Sequence, residues 1–154
     1  AQNGLITGAT LGSVNDAWSY NAFGEVVDYR TSYNASENFS AQFTRDNLGR
    51  ITGKTETLDG ATHLYNYGYD ATGRLISVKK DSAIISAYSY DSNGNRLSHN
   101  TVTGTYDAQD RLITYGNNSY THTANGELLT RTDTSTSETT TFTYDVLGNL
   151  VSVT

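Results

Sequence analysis

Proline, cysteine and methionine are all absent from these 154 residues, and positive charge is scarce. Ten Lys and Arg stand against 16 Asp and Glu, for a net charge of −6. Without cysteine there is no disulfide, no thiolate nucleophile and no Cys-ligated zinc. Without proline there is no stiff Pro-rich linker. An acidic chain with no basic cluster lacks the footprint needed to grip a phosphate backbone, which argues against nucleic acid. Nothing approaches the roughly 18–20 consecutive apolar residues of a membrane-spanning helix. The start, "AQNGLITGATLG", has no basic stretch followed by an apolar one, so no signal peptide is legible. It also lacks an initiator Met, and the closing "LVSVT" reads as the middle of a strand, so both ends look cut from something longer.

What the chain does have is 12 Tyr, 4 Phe, 1 Trp, abundant Thr and 14 Gly. Aromatic and β-branched residues suit a pleated, half-buried surface, and frequent glycine suits tight turns. One phrase then recurs seven times: "WSYNAFGEV" at 18–26, "FTRDNLGRI" at 43–51, "YGYDATGRL" at 67–75, "YSYDSNGNRL" at 88–97, "GTYDAQDRL" at 104–112, "YTHTANGEL" at 120–128 and "FTYDVLGNL" at 142–150. The phrase is tight while the intervals are loose, which fits hairpins of variable arm length better than a solenoid of fixed circumference.

Each copy reads as a β-hairpin tip. In Asp70-Ala71-Thr72-Gly73-Arg74, Asp favours the first position of a type I turn and Gly supplies the φ > 0 residue of a bulge. Asp70 then faces Arg74 across the strands, and Tyr69 faces Leu75 one step further out. Tyr67, Tyr69 and Leu75 share one face, with Asp70, Arg74 and Ile76 on the other. The same register groups Trp18, Tyr20 and Val26, and likewise Phe142, Tyr144 and Leu150. Where Arg is replaced by Glu, at Glu25 and Glu127, the Asp has become Asn21 and Thr123, which removes a like-charge pair. In the copy at 88–97 an extra residue enters the loop, and Asp91 is expected to face Arg96 with Tyr90 facing Leu97. The structural repeat positions are therefore Tyr20, Gly24, Asp46, Gly49, Arg50, Tyr69, Asp70, Gly73, Arg74, Leu75, Tyr90, Asp91, Gly94, Arg96, Tyr106, Asp107, Arg111, Gly126, Tyr144, Asp145 and Gly148. Asp110 stands where the other copies place glycine, so it must accept left-handed geometry or change the loop. Between the tips, "TYGNNSY" at 114–120 reads as a good return turn, "KKDSAII" at 79–85 as a weaker one, and "TDTSTSETT" at 132–140 as a mobile polar connection. The segment at 33–42 has room for a helical turn. The expected fold is an all-β antiparallel meander of about 12–14 strands, with residues 1–154 as one repeat region.

Aromatic-x-Tyr-Asp-x-x-Gly-Arg-Leu in tandem resembles the tyrosine-aspartate (YD) repeat of the Rhs family, which includes bacterial Rhs toxins, Tc toxin B and C components and teneurins. The resemblance covers roughly residues 11–154. Its departures are Arg45 and His122 for the Tyr, Asp110 for the Gly, and Glu25, Glu127 and Asn149 for the Arg. It implies a sheet ribbon that curves or spirals into a hollow shell wall, which in the toxins encloses a C-terminal toxic segment. The family's self-cleaving aspartyl protease carries a Pro-containing signature, and this chain has no Pro. It implies a secreted or cell-surface parent protein.

Motifs for chemistry are weak by comparison. His63, His99 and His122 have no ligand spacing, and His122 occupies a Tyr slot of the repeat, where a packing role is the better reading. "DSNGN" at 91–95 begins like a calcium loop but lacks the later acidic ligands. No nucleophile elbow, paired-carboxylate site or phosphate loop is legible, so neither catalysis nor a cofactor is expected. Asn34, Asn38 and Asn117 open N-x-Ser sequons. Two functions remain. The first is a non-catalytic piece of shell wall, partnered by the rest of its parent protein and an enclosed C-terminal domain. The alternative is a carbohydrate- or cell-surface-binding module, which would need Tyr29, Tyr33, Tyr65 or Tyr115 on an exposed stripe. With one bare face and two open edges, the isolated chain is expected either to curl so that its aromatic faces meet or to dimerise through faces or edges.

Overall fold

Tyrosine-rich alternating segments separated by Asp-Gly and Asn-Gly turns have one simple way to satisfy their backbone: each pairs with the next. The computed structural model describes residues 4–154 and realises this arrangement. Its strands are β1 (Gly8–Leu11), β2 (Val14–Tyr20), β3 (Val26–Tyr33), β4 (Ser36–Arg45), β5 (Ile51–Leu58), β6 (Ala61–Tyr69), β7 (Leu75–Lys80), β8 (Ala83–Tyr90), β9 (Arg96–His99), β10 (Val102–Tyr106), β11 (Leu112–Tyr115), β12 (Asn118–His122), β13 (Leu128–Asp133), β14 (Thr139–Tyr144) and β15 (Leu150–Val153). They follow one another in sheet order as an antiparallel meander, slightly richer in strands than the sequence suggested. By contacts the chain divides into two units, 1–86 and 87–154.

In the first unit, one face is aromatic. Opposed residues share a face, and Trp18 lies opposite Tyr29, Phe39 opposite Leu58, and Tyr67 opposite Val78. Trp18 and Tyr29 stack with centroids 5.4 Å apart, and Tyr29 leans on Phe39 at 5.9 Å. Lys54 Nζ sits 4.2 Å over the Tyr65 ring, and its partner Glu56 is 2.5 Å away. Ala41, 3% exposed, is the one buried hydrophobic residue among the described residues. A single sheet layer therefore shelters its aromatics by their neighbours on the same face, not by a second layer.

In the second unit, the face opposite the aromatics is a carpet of hydroxyls. Thr105 opposes Thr114, which opposes Ser119, which opposes Thr132, which opposes Thr139. The Thr105–Thr114, Thr121–Thr130 and Thr132–Thr139 hydroxyls lie 2.7, 2.6 and 2.9 Å apart, and Ser89–Ser98 and Thr143–Ser152 pair at 2.6 and 2.7 Å. Tyr88 stacks on His99 on the other face at 4.8 Å.

Two segments differ from expectation. Residues 33–42 hold no helical turn: Asn34 and Ala35, at φ 50° and 63°, make a two-residue turn directly into β4. The connection read as mobile at 132–140 is a closed turn. Asp133 accepts from the Ser135 amide at 2.8 Å, and its own amide donates to Glu138 O at 2.9 Å. A short polar side chain able to cap its own turn orders a segment that composition alone marks as loose.

Candidate functional site

The seven tips, three in the first unit and four in the second, share one construction. The amide of the Asp-slot residue donates to the carbonyl four residues on, and the Gly-slot amide donates back to the Asp-slot carbonyl, as in Asp70 N to Arg74 O at 2.9 Å and Gly73 N to Asp70 O at 3.0 Å. The slot glycines lie at φ 79–100°, a region where a Cβ is strained, and Asp110 takes the same place at φ 61°. Its loop is unchanged, with Asp110 N donating to Asp107 O at 3.1 Å. Its carboxylate accepts from Asn93 Nδ2 at 2.8 Å and Asn95 Nδ2 at 2.6 Å, which ties the two neighbouring tips together.

The first side chain of each tip does two jobs. One oxygen caps loop amides: Asp107 Oδ1 accepts from Gln109 N at 2.8 Å and Arg111 N at 3.0 Å, and Asp46, Asp70, Asp91 and Asp145 repeat the pattern. The other meets a donor across the strands. Arg50, Arg74 and Arg111 donate to Asp46, Asp70 and Asp107 at 2.7, 2.6 and 2.7 Å. Where Glu replaces Arg, the polarity reverses: Asn21 Nδ2 donates to Glu25 Oε2 at 2.6 Å, and the Thr123 hydroxyl donates to Glu127 Oε2. The rule is donor against acceptor rather than Asp against Arg.

That rule corrects the expectation for 88–97. No residue is inserted in the loop. Asn95, not Arg96, faces Asp91, donating from Nδ2 at 2.9 Å, while Arg96 pairs with Tyr90 and Leu97 moves one place on. An amide supplies the same donor as a guanidinium, as Asn149 does against Asp145 at 2.9 Å. Arg96 instead lays its guanidinium over the Tyr115 ring at 5.2 Å.

These bonds set the charge state of the tips. Bonds from the Arg111 backbone and side chain lower the Asp107 carboxyl to about 2, and those from Arg74 hold Asp70 lower still. For Asp46, partial desolvation opposes the shift but the bonds from Arg50 outweigh it, so its carboxyl too lies below the usual range. All are kept ionised at neutral pH, which suits acceptors and not proton donors.

A second bulge follows each tip. Register slips by one between the spacer and the Tyr-slot residue in all seven hairpins, leaving Ile76, Ile113 and Leu129 among the unpaired residues. Beside it lies the contact that joins successive tips. Tyr69 OH donates to Ile51 O at 2.7 Å and Tyr106 OH to Arg96 O at 3.2 Å, each acceptor being the Leu-slot carbonyl of the tip before, and Tyr20 OH donates likewise to Ile6 O at 2.6 Å. Arg45, standing in a Tyr slot, makes the same bond to Val26 O at 2.7 Å. The tyrosine is thus a lock between repeats, which the sequence reading assigned only to the aromatic face. Phe43, Ile51, Tyr67, Tyr69 and Leu75 line one cavity of about 350 Å³ on that face, so the grouping of Tyr67, Tyr69 and Leu75 holds and includes the preceding repeat. The lock also exposes a missed slot set: Gly4 at φ 77°, Leu5 and Ile6 occupy Gly, Arg and Leu positions, legible had "GLI" been laid against "GRL".

The remaining repeat positions fall as follows. Tyr20 opposes Val26, Tyr106 opposes Leu112, His122 opposes Leu128 and Tyr144 opposes Leu150. Gly24, Gly49, Gly94, Gly126 and Gly148 all close their tips. His63 pairs with Asp81 at 2.7 Å, and His99 stacks on Tyr88. Among the described residues no group of three or more His, Cys, Asp or Glu is placed to hold a metal ion.

The crystal structures of TcdB2-TccC3-Cdc42 and TcdB2-TccC3-TEV superpose with TM-scores of 0.52 and 0.53 at 16% identity, covering 91% and 90% of this chain. This chain spans only 7% of the length of those matched chains. At that identity the likeness is one of fold. Curated protein sequences yield no match. The family described as Teneurin YD-shell matches residues 1–154, and the chain belongs to that family.

Proposed function

We propose that the chain is a non-catalytic segment of a YD-repeat β-shell that encloses a C-terminal toxin or effector domain of its parent protein. The observation that carries this reading is the inter-tip lock. It joins hairpins into a ribbon without using any side chain as an acid, base or nucleophile, and the family match and the fold of the Tc toxin components support it. The working principle is steric: a wall held by many small bonds secludes what lies behind it from solvent and proteases. Residues 1–154 serve as one repeat region whose partners are the rest of the shell and the enclosed domain, in a secreted or surface-displayed parent.

Carbohydrate binding has less support. Tyr29 is stacked on Trp18 and bonded to Asp16, Tyr65 lies under Lys54, and Tyr115 lies under Arg96, while Tyr33 alone of the four is exposed. The test is broad-specificity proteolysis of the intact parent protein beside a Tyr69→Ala/Tyr106→Ala variant. The segment beyond the repeats should survive in the former and be cut in the latter. Equal and rapid cleavage in both overturns the reading.

A further inference from the structure

Two departures from the repeat meet at one place, and neither the tip nor the lock calls for them. In the next pair of repeats an Arg-slot guanidinium covers the following Tyr-slot ring, Arg50 lying 4.7 Å over Tyr69. Between the tips at 21–25 and 46–50 both members are exchanged, with Glu25 in the Arg slot and Arg45 in the Tyr slot. Tyrosine makes the lock at Tyr69 and Tyr106, and Asp against Arg closes the tips at 46–50, 70–74 and 107–111. The exchange therefore adds something those duties leave out: a carboxylate beside a guanidinium where the next repeat has a ring.

Both groups are anchored through one atom and keep another to offer. Glu25 Oε2 accepts from Asn21 Nδ2 at 2.6 Å, and Arg45 Nη1 donates to Val26 O at 2.7 Å. Glu25 Oε1 also lies against Gly49, where an added Cβ would come within 2.8 Å of it. Oε1 and Arg45 Nε stand 3.8 Å apart, too far for a hydrogen bond, so each retains bonding capacity. They line a cavity of about 520 Å³ whose apolar walls are Phe23, Val27, Phe43 and Leu48. Asp46 lines it too, but its carboxylate is taken up by Leu48 N and Arg50. The volume falls within the roughly 300–1,000 Å³ of small-molecule sites, and apolar walls with a few fixed polar groups are their usual make-up.

We propose that this cavity binds a free α-amino acid with an apolar side chain. Such a molecule carries an ammonium and a carboxylate on one carbon, and the cavity presents their complements, Glu25 for the ammonium and Arg45 for the carboxylate. Set antiparallel, the two charge pairs attract, whereas a ligand of one sign meets like charge at one of the two groups. The ligand's side chain lies along Phe23 and Leu48, which at 89% and 77% exposed gain cover from it. Because the site opens to water, its ionic contacts are screened and binding is weak. The binding does not depend on what the shell encloses.

Titration of the isotope-labelled chain, followed by its amide NMR shifts, tests this with leucine, leucinamide and isocaproate. Leucine should give saturable shifts confined to residues 21–27 and 43–50. Leucinamide lacks the carboxylate and isocaproate the ammonium, so each should bind at least about tenfold more weakly. Arg45→Tyr removes the guanidinium while supplying the residue that makes the lock at Tyr69 and Tyr106. Glu25→Gln removes the charge while its amide oxygen can still accept from Asn21. Both variants should keep the dispersed spectrum of the folded chain and lose the leucine shifts. No saturable shift with leucine, an equal response to all three compounds, shifts undiminished in either variant, or stronger shifts with glucose than with leucine overturns the proposal.

Discussion

Removing one oxygen atom isolates the lock between repeats. Tyr69→Phe leaves the ring in place, with the Arg50 guanidinium still 4.7 Å over it and the apolar contacts to Phe43, Ile51 and Leu75 intact. What is lost is the 2.7 Å bond to Ile51 O. A net protein hydrogen bond contributes about 0.5–1.5 kcal/mol, and an acceptor stranded away from water costs more. Ile51 is half-buried, so water reaches its carbonyl in part and the expected loss is about 1 kcal/mol. For a chain of this size that is about 2–4 °C in Tm. The control is Tyr33→Phe, at a tyrosine 56% exposed, where no change beyond error is expected. Paired urea titrations of the two variants should show a lower midpoint for Tyr69→Phe at unchanged slope. If the two midpoints coincide, the hydroxyl is incidental and the tyrosine acts only through its ring.

Other substitutions probe the turn itself. Asp110→Ala keeps the left-handed strain and loses both Asn contacts, so thermal melts should show a loss of about 1–2 kcal/mol; Asp110→Gly relieves the strain while losing the same contacts and should be nearly neutral. A Cβ at Gly49 would lie 2.8 Å from Glu25 Oε1, whereas one at Gly60 meets nothing within 4 Å. With φ near 80° at both, denaturation of Gly49→Ala and Gly60→Ala should separate crowding from strain, the former losing more. The tip carboxylates are more acidic folded than unfolded, so their contribution is complete above pH 3.8 and disappears as pH falls through about 2 for Asp107. Acid titration followed by circular dichroism should show that limb flattened in Asp107→Asn; an unchanged limb counts against the assignment.

The tips were legible because a three-residue loop leaves little freedom: once Asp and Gly are fixed, Tyr69 must face Leu75. Asp110 was legible for the same reason, as the slot dictates the backbone whichever residue fills it. In the 88–97 copy the nearest donor, Asn95, closes the loop, so Arg96 and not Leu97 stands opposite Tyr90, a choice between two donors that the motif does not make. The second bulge left no composition signal, since the residues on either side of it alternate as an unbroken strand would. The inter-tip lock was also out of reach, because its acceptors are backbone carbonyls, which every residue carries. Gly53 and Gly68 look like spacers in sequence, yet a Cβ at either would lie 2.5 Å from Thr44 Oγ1 or Ser77 Oγ across the sheet.

The locks and paired tips bind one margin of each unit, while two-residue links on the opposite side, such as Asp59-Gly60 and Gly116-Asn117, are tied to the adjoining strands through their backbone: Asp59 N donates to Asn38 O and Gly116 N to Thr103 O, each at 2.9 Å. Lengthening both arms of a hairpin by two residues would carry its outer turn away by about 7 Å without disturbing a tip bond. Strands of 7–10 residues in β2 to β6 and of 4–6 in β9 to β15 are two settings of that allowance. A hinge is fastened along its pin and leaves the width of the leaf to choice. Epitopes or tags placed at 59–60 or 116–117 should cost less than the same insertions at 71–72, which break the tip bonds.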